Sequence, residues 1–216
     1  MEKKFILTDK FVINSFGITL FQIKCTKSFK YAQKGDFGGY VEKEGNLDQE
    51  NDAWVFGNAR VFGNARVSGD AWVSDNARVS GDAWVSDNAW VSSNAWVSGD
   101  ALVSGYAWVS GDARVFGNAR VSGDARVSGD AWVSGDADIE NDNEHCGFDG
   151  FGSCNRHTHA YMTKEKKVEI ICGCFRGSIE EFEKKVEETH SGTVYEKQYK
   201  SIINVIKIKF GLTDFT

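Results

Sequence analysis

From Val55 the chain repeats a six-residue unit, Val-Phe-Gly-Asn-Ala-Arg, Val-Phe-Gly-Asn-Ala-Arg, Val-Ser-Gly-Asp-Ala-Trp, and holds that register over residues 55–138 without an insertion. Those 84 residues are fourteen hexads. A fixed short period constrains a fold more than any local propensity does. Valine opens every hexad as far as Val133, Ile139 comes next in line, and alanine holds the fifth place from Ala59 to Ala137. In each Ala-Trp-Val or Ala-Arg-Val triplet, two-residue alternation sends Ala and Val to one side and the middle residue to the other. Between triplets stand Gly-Asn, Gly-Asp or Asp-Asn, which tolerate positive φ and turn the chain.

Three such sides close a triangular coil of eighteen residues (three hexads of six), with valines stacked inside and alanines at the corners. Nearly five coils are expected, forming a prism on the order of 22 Å tall at a strand spacing of about 4.8 Å. Burying each valine contributes roughly 1.5 to 3 kcal/mol before entropy. Proline is absent from all 216 residues. That suits continuous β ladders, in which proline removes a donor.

An aliphatic residue followed four places later by a small one resembles the hexapeptide-repeat family, with Ser or Phe here replacing the glycine usual in second place. The resemblance implies a left-handed parallel β-helix, against the general right-handed crossover preference. It also implies trimers packed through β-helix faces. The run Lys27-Ser-Phe-Lys-Tyr-Ala-Gln-Lys-Gly-Asp-Phe-Gly-Gly-Tyr-Val-Glu-Lys-Glu-Gly-Asn-Leu, together with the repeats, resembles phage and bacterial hexapeptide-repeat proteins, some of them described as acyltransferases. This likeness covers residues 20–140.

The expected fold is therefore mainly β: an N-terminal β cap (1–46), a left-handed parallel β-helix (47–142) and a small α+β domain (143–216). Short strands near Phe5 and from Ile18 to Cys25 fit a cap, which a solenoid needs to protect its end. In the last part, residues 167–172 read as a strand. Ser178-Ile-Glu-Glu is a capping box opening one helix, and a second helix is expected from about Glu196, with Gly211 beyond its end.

Sorting the outward residues by coil gives three columns. The first is Trp54, Trp72, Trp90, Trp108 and Arg126, a four-indole ladder. The second is Arg60, Arg78, Trp96, Arg114 and Trp132, and the third is Arg66, Trp84, Leu102, Arg120 and Asp138. Each Trp can bury about 150 to 250 Å², so a bare ladder of four calls for a cover. The expectation is a homotrimer interface at Trp54, Trp72, Trp90 and Trp108; the C-terminal segment folding back and a ligand surface are the alternatives. The single turn carboxylates, such as Asp70 and Asp100, read as turn chemistry and not as calcium ligands.

All four histidines and four of the five cysteines fall in the last unit. The segment Ser153, Cys154, Asn155, Arg156, His157, Thr158, His159, facing the Gly-Cys-Phe-Arg-Gly turn that carries Arg176, reads as a polar loop able to hold a phosphate or another anion; a solvated hairpin is the alternative. Zinc from these cysteines and histidines is imaginable, but no Cys-x2-Cys pair occurs, and neither metal nor cofactor is expected. No histidine lies in the coils to serve an acyl transfer, and no P-loop or nucleophile elbow is present.

A net charge of −6 argues against nucleic acid as a partner, although a local basic patch stays open. No apolar run reaches the roughly 18 residues of a membrane span, and the odd cysteine count fits a reducing cytoplasm. The function expected is a non-enzymatic, phage-encoded binding protein. Its ligand would be a small anion or nucleotide, or a host defence protein, in a counter-defence role. A structural surface component and an acyltransferase are the alternatives.

Overall fold

The computed structural model describes residues 2–212. The hexads form two-residue strands that stack in parallel, in the register that the sequence columns require. Trp54 pairs with Trp72, Trp72 with Trp90, Trp90 with Trp108 and Trp108 with Arg126, and the other two columns align in the same way. Val55 to Val133 and Ile139 are buried to 1% exposure or less, as are nearly all the corner alanines.

The solenoid begins earlier than the repeat does. The hairpin β1 (Phe5–Ile13) and β2 (Thr19–Cys25) leads into β3 (Phe37–Val41), which pairs in parallel with the second repeat strand, Arg60–Val61, Val41 opposite Val61. Leu47 bridges to Val67 in the same sense. These partners are 20 residues apart (41 to 61, 47 to 67), where Val61 and Val79 are 18 apart. Two residues are thus inserted at the corner between Leu47 and Ala53, and with β3 and Leu47 added ahead of the repeat the stack has about six turns. The widened corner wraps the N-terminus: Lys4 Nζ donates to the carbonyls of Asn51 at 2.6 Å and Ala53 at 2.9 Å. The free edge at β1 is blunted by a bulge between Leu7 and Phe11 that carries Asp9 and Lys10, a usual defence against edge pairing.

Each turn demands one left-handed residue. Glycine supplies most of them, but Asp75, Asp87 and Ser93 take φ of 60°, 58° and 61°. The two aspartates do more than tolerate the angle: Asp75 Oδ2 accepts from Ser93 N at 3.0 Å and Asp87 Oδ2 from Gly105 N at 3.1 Å, joining successive coils. At Gly81 no such choice exists, because a Cβ there would stand 2.9 Å from the Gly99 backbone nitrogen. Along the corner of Asp75 and Ser93 the amides of Asn58, Asn76 and Asn94 hand hydrogen bonds upward to Asp112.

Three of the indoles share one hydrogen-bond pattern. Trp84, Trp96 and Trp108 donate Nε1–H to the serine sixteen positions earlier: Ser68 at 2.8 Å, Ser80 at 3.1 Å and Ser92 at 3.4 Å. Where that place holds phenylalanine the ring is packed instead. Phe56 stacks on Trp72 at 3.8 Å, leaving its buried N–H without a partner, and Phe116 meets Trp132 edge-on.

Beyond Ile139 an antiparallel sheet of His145–Phe151, Arg156–Met162, Val168–Cys172 and Phe175–Gly177 covers the end of the solenoid. Alternation divides its two faces. Ala160, Ile170 and Cys172 lie under α1 (Ile179–His190) and α2 (Val194–Lys209), packed against Phe182, Val186, Tyr199, Ile203 and Ile206. Tyr161 and Ile171 join the solenoid core. Ser178 caps α1 with a complete capping box and Thr193 caps α2.

Candidate functional site

His145, His157 and His159 lie on the solenoid side of this sheet, whereas His190 ends α1 and stacks on Tyr199. His159 is 1% exposed, and its Nδ1 stands 2.9 Å from the carbonyl oxygen of Trp132 on the last coil. A carbonyl only accepts, so Nδ1 carries the proton and Nε2 is the acceptor for His145 Nδ1–H at 3.1 Å. The bare Nε2 of neutral His145 then faces Asp142 Oδ1 at 3.8 Å. Burial drives the His159 pKa down to about 3, only partly offset by the Trp132 carbonyl, and burial also lowers that of His145. Beside them Tyr161 donates to Glu169 Oε1 at 2.5 Å and sits 3.3 Å from the Ser134 carbonyl, while Glu169 is held by Arg176 Nε at 2.6 Å. Lys164 reaches the Asn118 carbonyl at 3.1 Å, and Thr163 bridges Ala137. The sheet thus satisfies outward groups of the final coils, which would otherwise be left unpaired.

The expected polar loop is therefore mostly strand, and its residues part company. Ser153 and Asn155 stay in an exposed turn, Asn155 at φ 47°. Thr158 is buried on the helix side, donating to Cys172 Sγ at 3.2 Å, and His159 is buried on the other side. These two are closed to an outside ligand, because alternation along a covered strand sends neighbouring side chains into opposite cores. Arg176 is committed to Glu169. His157 Nδ1 contacts Asp149 Oδ1 at 2.5 Å, and its Nε2 is buried without a partner against Gly147, where a Cβ would stand 3.0 Å from it.

Arg156 and His157 do meet in a cleft of about 310 Å³ between the last coil and the sheet, lined also by Asp130, Trp132, Ile171 and Gly173. The Arg156 side chain lies across Gly173, whose missing Cβ makes the room: one there would fall 2.5 Å from Nη1. Among the described residues Arg156 forms no ion pair. Its flanking thiols, Cys154 first, strengthen its hold on its proton. Opposite stands Trp132, with the Arg114 guanidinium 5.1 Å from its ring. Sequence reasoning missed Asp130, Trp132, Ile171 and Gly173 as a group. The available signal was that Trp132 is the last outward indole before the repeat ends. Two larger depressions, about 490 and 510 Å³, flank Arg66 and Trp84; Lys43 and Asp82 line the first and Glu44 and Asp48 the second, with no histidine or cysteine in either.

The Trp ladder is covered only in part. Trp54 is 1% exposed beneath Phe29 and Phe5, and Tyr31 packs edge-on against half-buried Trp72 at 5.0 Å. Trp54, expected in a subunit interface, is thus sealed by the chain's own N-terminal part, because residues 29–31 run along the ladder. Trp90 and Trp108 stack at 5.3 Å and remain 43% and 40% exposed.

Residues 53–69, 59–75, 71–87, 95–111 and 119–135 match the YdcK beta solenoid repeat. The central array is a β-solenoid. The matches lie wholly within the hexads and say nothing of the two ends of the chain. No curated protein matches the sequence. Among the described residues no three His, Cys, Asp or Glu side chains group to hold a metal ion. No helix among them is long and apolar enough to cross a membrane.

Proposed function

We propose that the protein is a non-enzymatic binding protein that holds a small planar anion, of nucleotide type, in the cleft between its last coil and its C-terminal sheet. The observation that carries this reading is Arg156, a guanidinium without an ion-pair partner among the described residues, spread over Gly173 and lining one cleft with an indole. An arginine fork suits a phosphate, and an indole beside it suits a base. Asp130 at the rim offers an acceptor for a sugar hydroxyl or a base N–H.

Retention fits better than turnover. A general base must present a free nitrogen to its substrate, yet the uncommitted nitrogen of His157 is packed on Gly147, and His159 is spent on Trp132. This counts equally against acyl transfer, which needs an accessible histidine. A protein that holds a nucleotide without converting it suits counter-defence, in which a phage-encoded chain removes a host immune signal. The resemblance carried by residues 20–140 supports that setting.

Calorimetry of the full chain against mono-, di- and cyclic nucleotides tests the reading. At least one should bind, and Arg156→Ala and Trp132→Ala should each weaken it about tenfold or more, the loss of roughly one charge-assisted contact. A panel without heat, or binding indifferent to both substitutions, contradicts it.

A further inference from the structure

The three outward columns of the solenoid differ in charge. Of the six arginines in the hexads, three stand on one column, which reads Arg60, Arg78, Trp96, Arg114 and Trp132 in parallel register. Tyr40 on β3 pairs with Arg60 and adds an aromatic rung ahead of them. All these strands belong to the eight-stranded sheet that runs the length of the solenoid. From Tyr40 to Trp132 the column spans about 24 Å at a strand spacing of about 4.8 Å.

Among the described residues no ion pair engages Arg60, Arg78 or Arg114, whereas Arg120 on another column meets Asp138 at 3.8 Å. Arg78 and Arg114 are exposed, and Arg60 is half-buried. Trp96 has spent its Nε1–H on Ser80 at 3.1 Å, so the half-buried ring has only π surface left to offer. Trp132 is 37% exposed, with the Arg114 guanidinium 5.1 Å from its ring. The corner that leads into these strands is neutral beside the first three repeat rungs, at Asn58, Asn76 and Asn94, and turns acidic only at Asp112 and Asp130. Asp112 Oδ1 already accepts from the Asn94 amide at 3.0 Å. On the opposite corner Asp82 Oδ1 accepts from the Asn64 amide at 3.1 Å.

From Arg78 to Trp132 guanidinium and indole alternate rung by rung, and Arg156 continues the series in the cleft that Trp132 lines. A nucleic-acid strand alternates in the same way, an ionised phosphate and a flat base. Unpaired strands are held by cations that track the backbone and by aromatic rings that stack on the bases. In a duplex the bases already stack on one another, so the indoles select the single strand. The net charge of −6 argues against a broad basic footprint, not against one narrow column of unpaired guanidiniums.

We infer that this column is a binding track for a single-stranded oligonucleotide. Its phosphates lie on Arg60, Arg78 and Arg114, its bases stack on Trp96 and Trp132, and its terminal nucleotide enters the Arg156 cleft. The inference deepens the reading of that cleft as a nucleotide site and rests on it for the end of the strand alone.

The test uses the full-length protein and fluorescently labelled octaadenylate, in ribose and deoxyribose forms, followed by anisotropy; 5′-AMP is titrated by calorimetry. Eight nucleotides cover the column even at about 3.4 Å per nucleotide, the fully stacked spacing. The octamer should bind about tenfold or more tightly than 5′-AMP, since each stacked base adds roughly 1 to 3 kcal/mol. Arg60→Gln combined with Arg78→Gln should remove most of that advantage and lower the slope of log affinity on log salt by about 1.4, leaving 5′-AMP binding unchanged. Trp96→Ser should weaken the octamer about tenfold, and Arg66→Gln, the same loss of charge on another column, should leave it intact. Circular dichroism melts establish that each variant is folded, and because both arginines of the double variant point outward, it keeps the test open should Trp96→Ser fail to fold. The ribose and deoxyribose arms tell RNA from DNA, and tight binding of either sustains the track. An octamer that binds no better than 5′-AMP, or that is indifferent to the double variant, overturns the track and leaves the cleft reading standing. An octamer that needs Arg60 and Arg78 but is indifferent to Arg156→Ala sustains the track and overturns the cleft reading. A polyphosphate of equal charge, or an octamer duplex, bound as tightly as the single strand also overturns the inference, since the indoles then read nothing.

Discussion

His159 donates through Nδ1 to the carbonyl oxygen of Trp132 at 2.9 Å, tying the buried strand of the C-terminal sheet to the last coil of the solenoid. The bond turns the histidine cluster from prospective chemistry into architecture. It also fixes the neutral tautomer of both His159 and His145, so the junction responds to acid in a definite sense. The folded pKa of His159 lies near 3, below the ordinary value of 6.5. The unfolded chain therefore binds the proton first as pH falls. The contribution of neutral His159 is fully present above about pH 6.5 and is lost downward toward pH 3, with a slope approaching 1.4 kcal/mol per pH unit for one group. Melting temperature should fall through this window in the wild type. In His159→Gln, which keeps a donor but cannot titrate, the slope should flatten; an unchanged pH profile would count against the assignment.

At the corners, Asp75 and Gly81 hold the same left-handed turn for different reasons. Asp75→Gly should be nearly neutral, since the exposed Ser93 amide can turn to water. Asp75→Ala keeps the strained angle without the acceptor and should cost about 1 to 2 kcal/mol. Gly81→Ala adds a backbone collision with Gly99 to that strain and should cost more than Asp75→Ala. Urea denaturation of the three variants gives the order, and a Gly81→Ala protein as stable as wild type would refute the stacked-corner geometry.

Phe56 and Trp72 illustrate the sixteen-residue rule. A double-mutant cycle between Phe56→Ala and Trp72→Ala should return a coupling of about 0.5 to 1.5 kcal/mol, the usual worth of an aromatic pair beyond its burial. By the same rule Ser68→Ala should leave the Trp84 indole N–H to water at small cost, because that ring is half exposed. Thermal melts of the four proteins of the cycle decide the first point, and a coupling indistinguishable from zero would contradict the stacked contact.

The solenoid was legible because every hexad repeats the same physical demand. Val, Ala and a turn residue recur at fixed places, and the three outward columns follow from counting. The first coil was not, because Val41 and Leu47 lie ahead of the repeat and reach their partners only across a two-residue insertion around Lys4. The helices α1 and α2 were visible in their caps and apolar faces. The strands His145–Phe151 and Arg156–Met162 were hidden by their own composition. A polar run such as Asn-Arg-His-Thr-His reads as a loop unless something offers those polar atoms buried partners, and here the carbonyl of Trp132 and the thiol of Cys172 do so. The cover on the ladder was expected from a second subunit or from the C-terminal segment. Over Trp54 and Trp72 it comes from Phe29 and Tyr31, and nothing in the run Phe-Lys-Tyr hinted at the surface they meet.

The cleft at Arg156 lies where the sheet meets the last coil and leaves Trp132 37% exposed. Its lining comes from three separate stretches of chain. If His159 were free to titrate, the cap would not be locked and the cleft would have no fixed far wall.

Nitrogen-resolved NMR of the histidine rings across pH 4 to 8 is the most direct test. The account predicts that His159 stays neutral and protonated at Nδ1 through that range, with His145 also protonated at Nδ1 at neutral pH. A His159 ring that titrates near pH 6.5, or carries its proton on Nε2, would contradict the locked cap and, with it, the cleft built upon it.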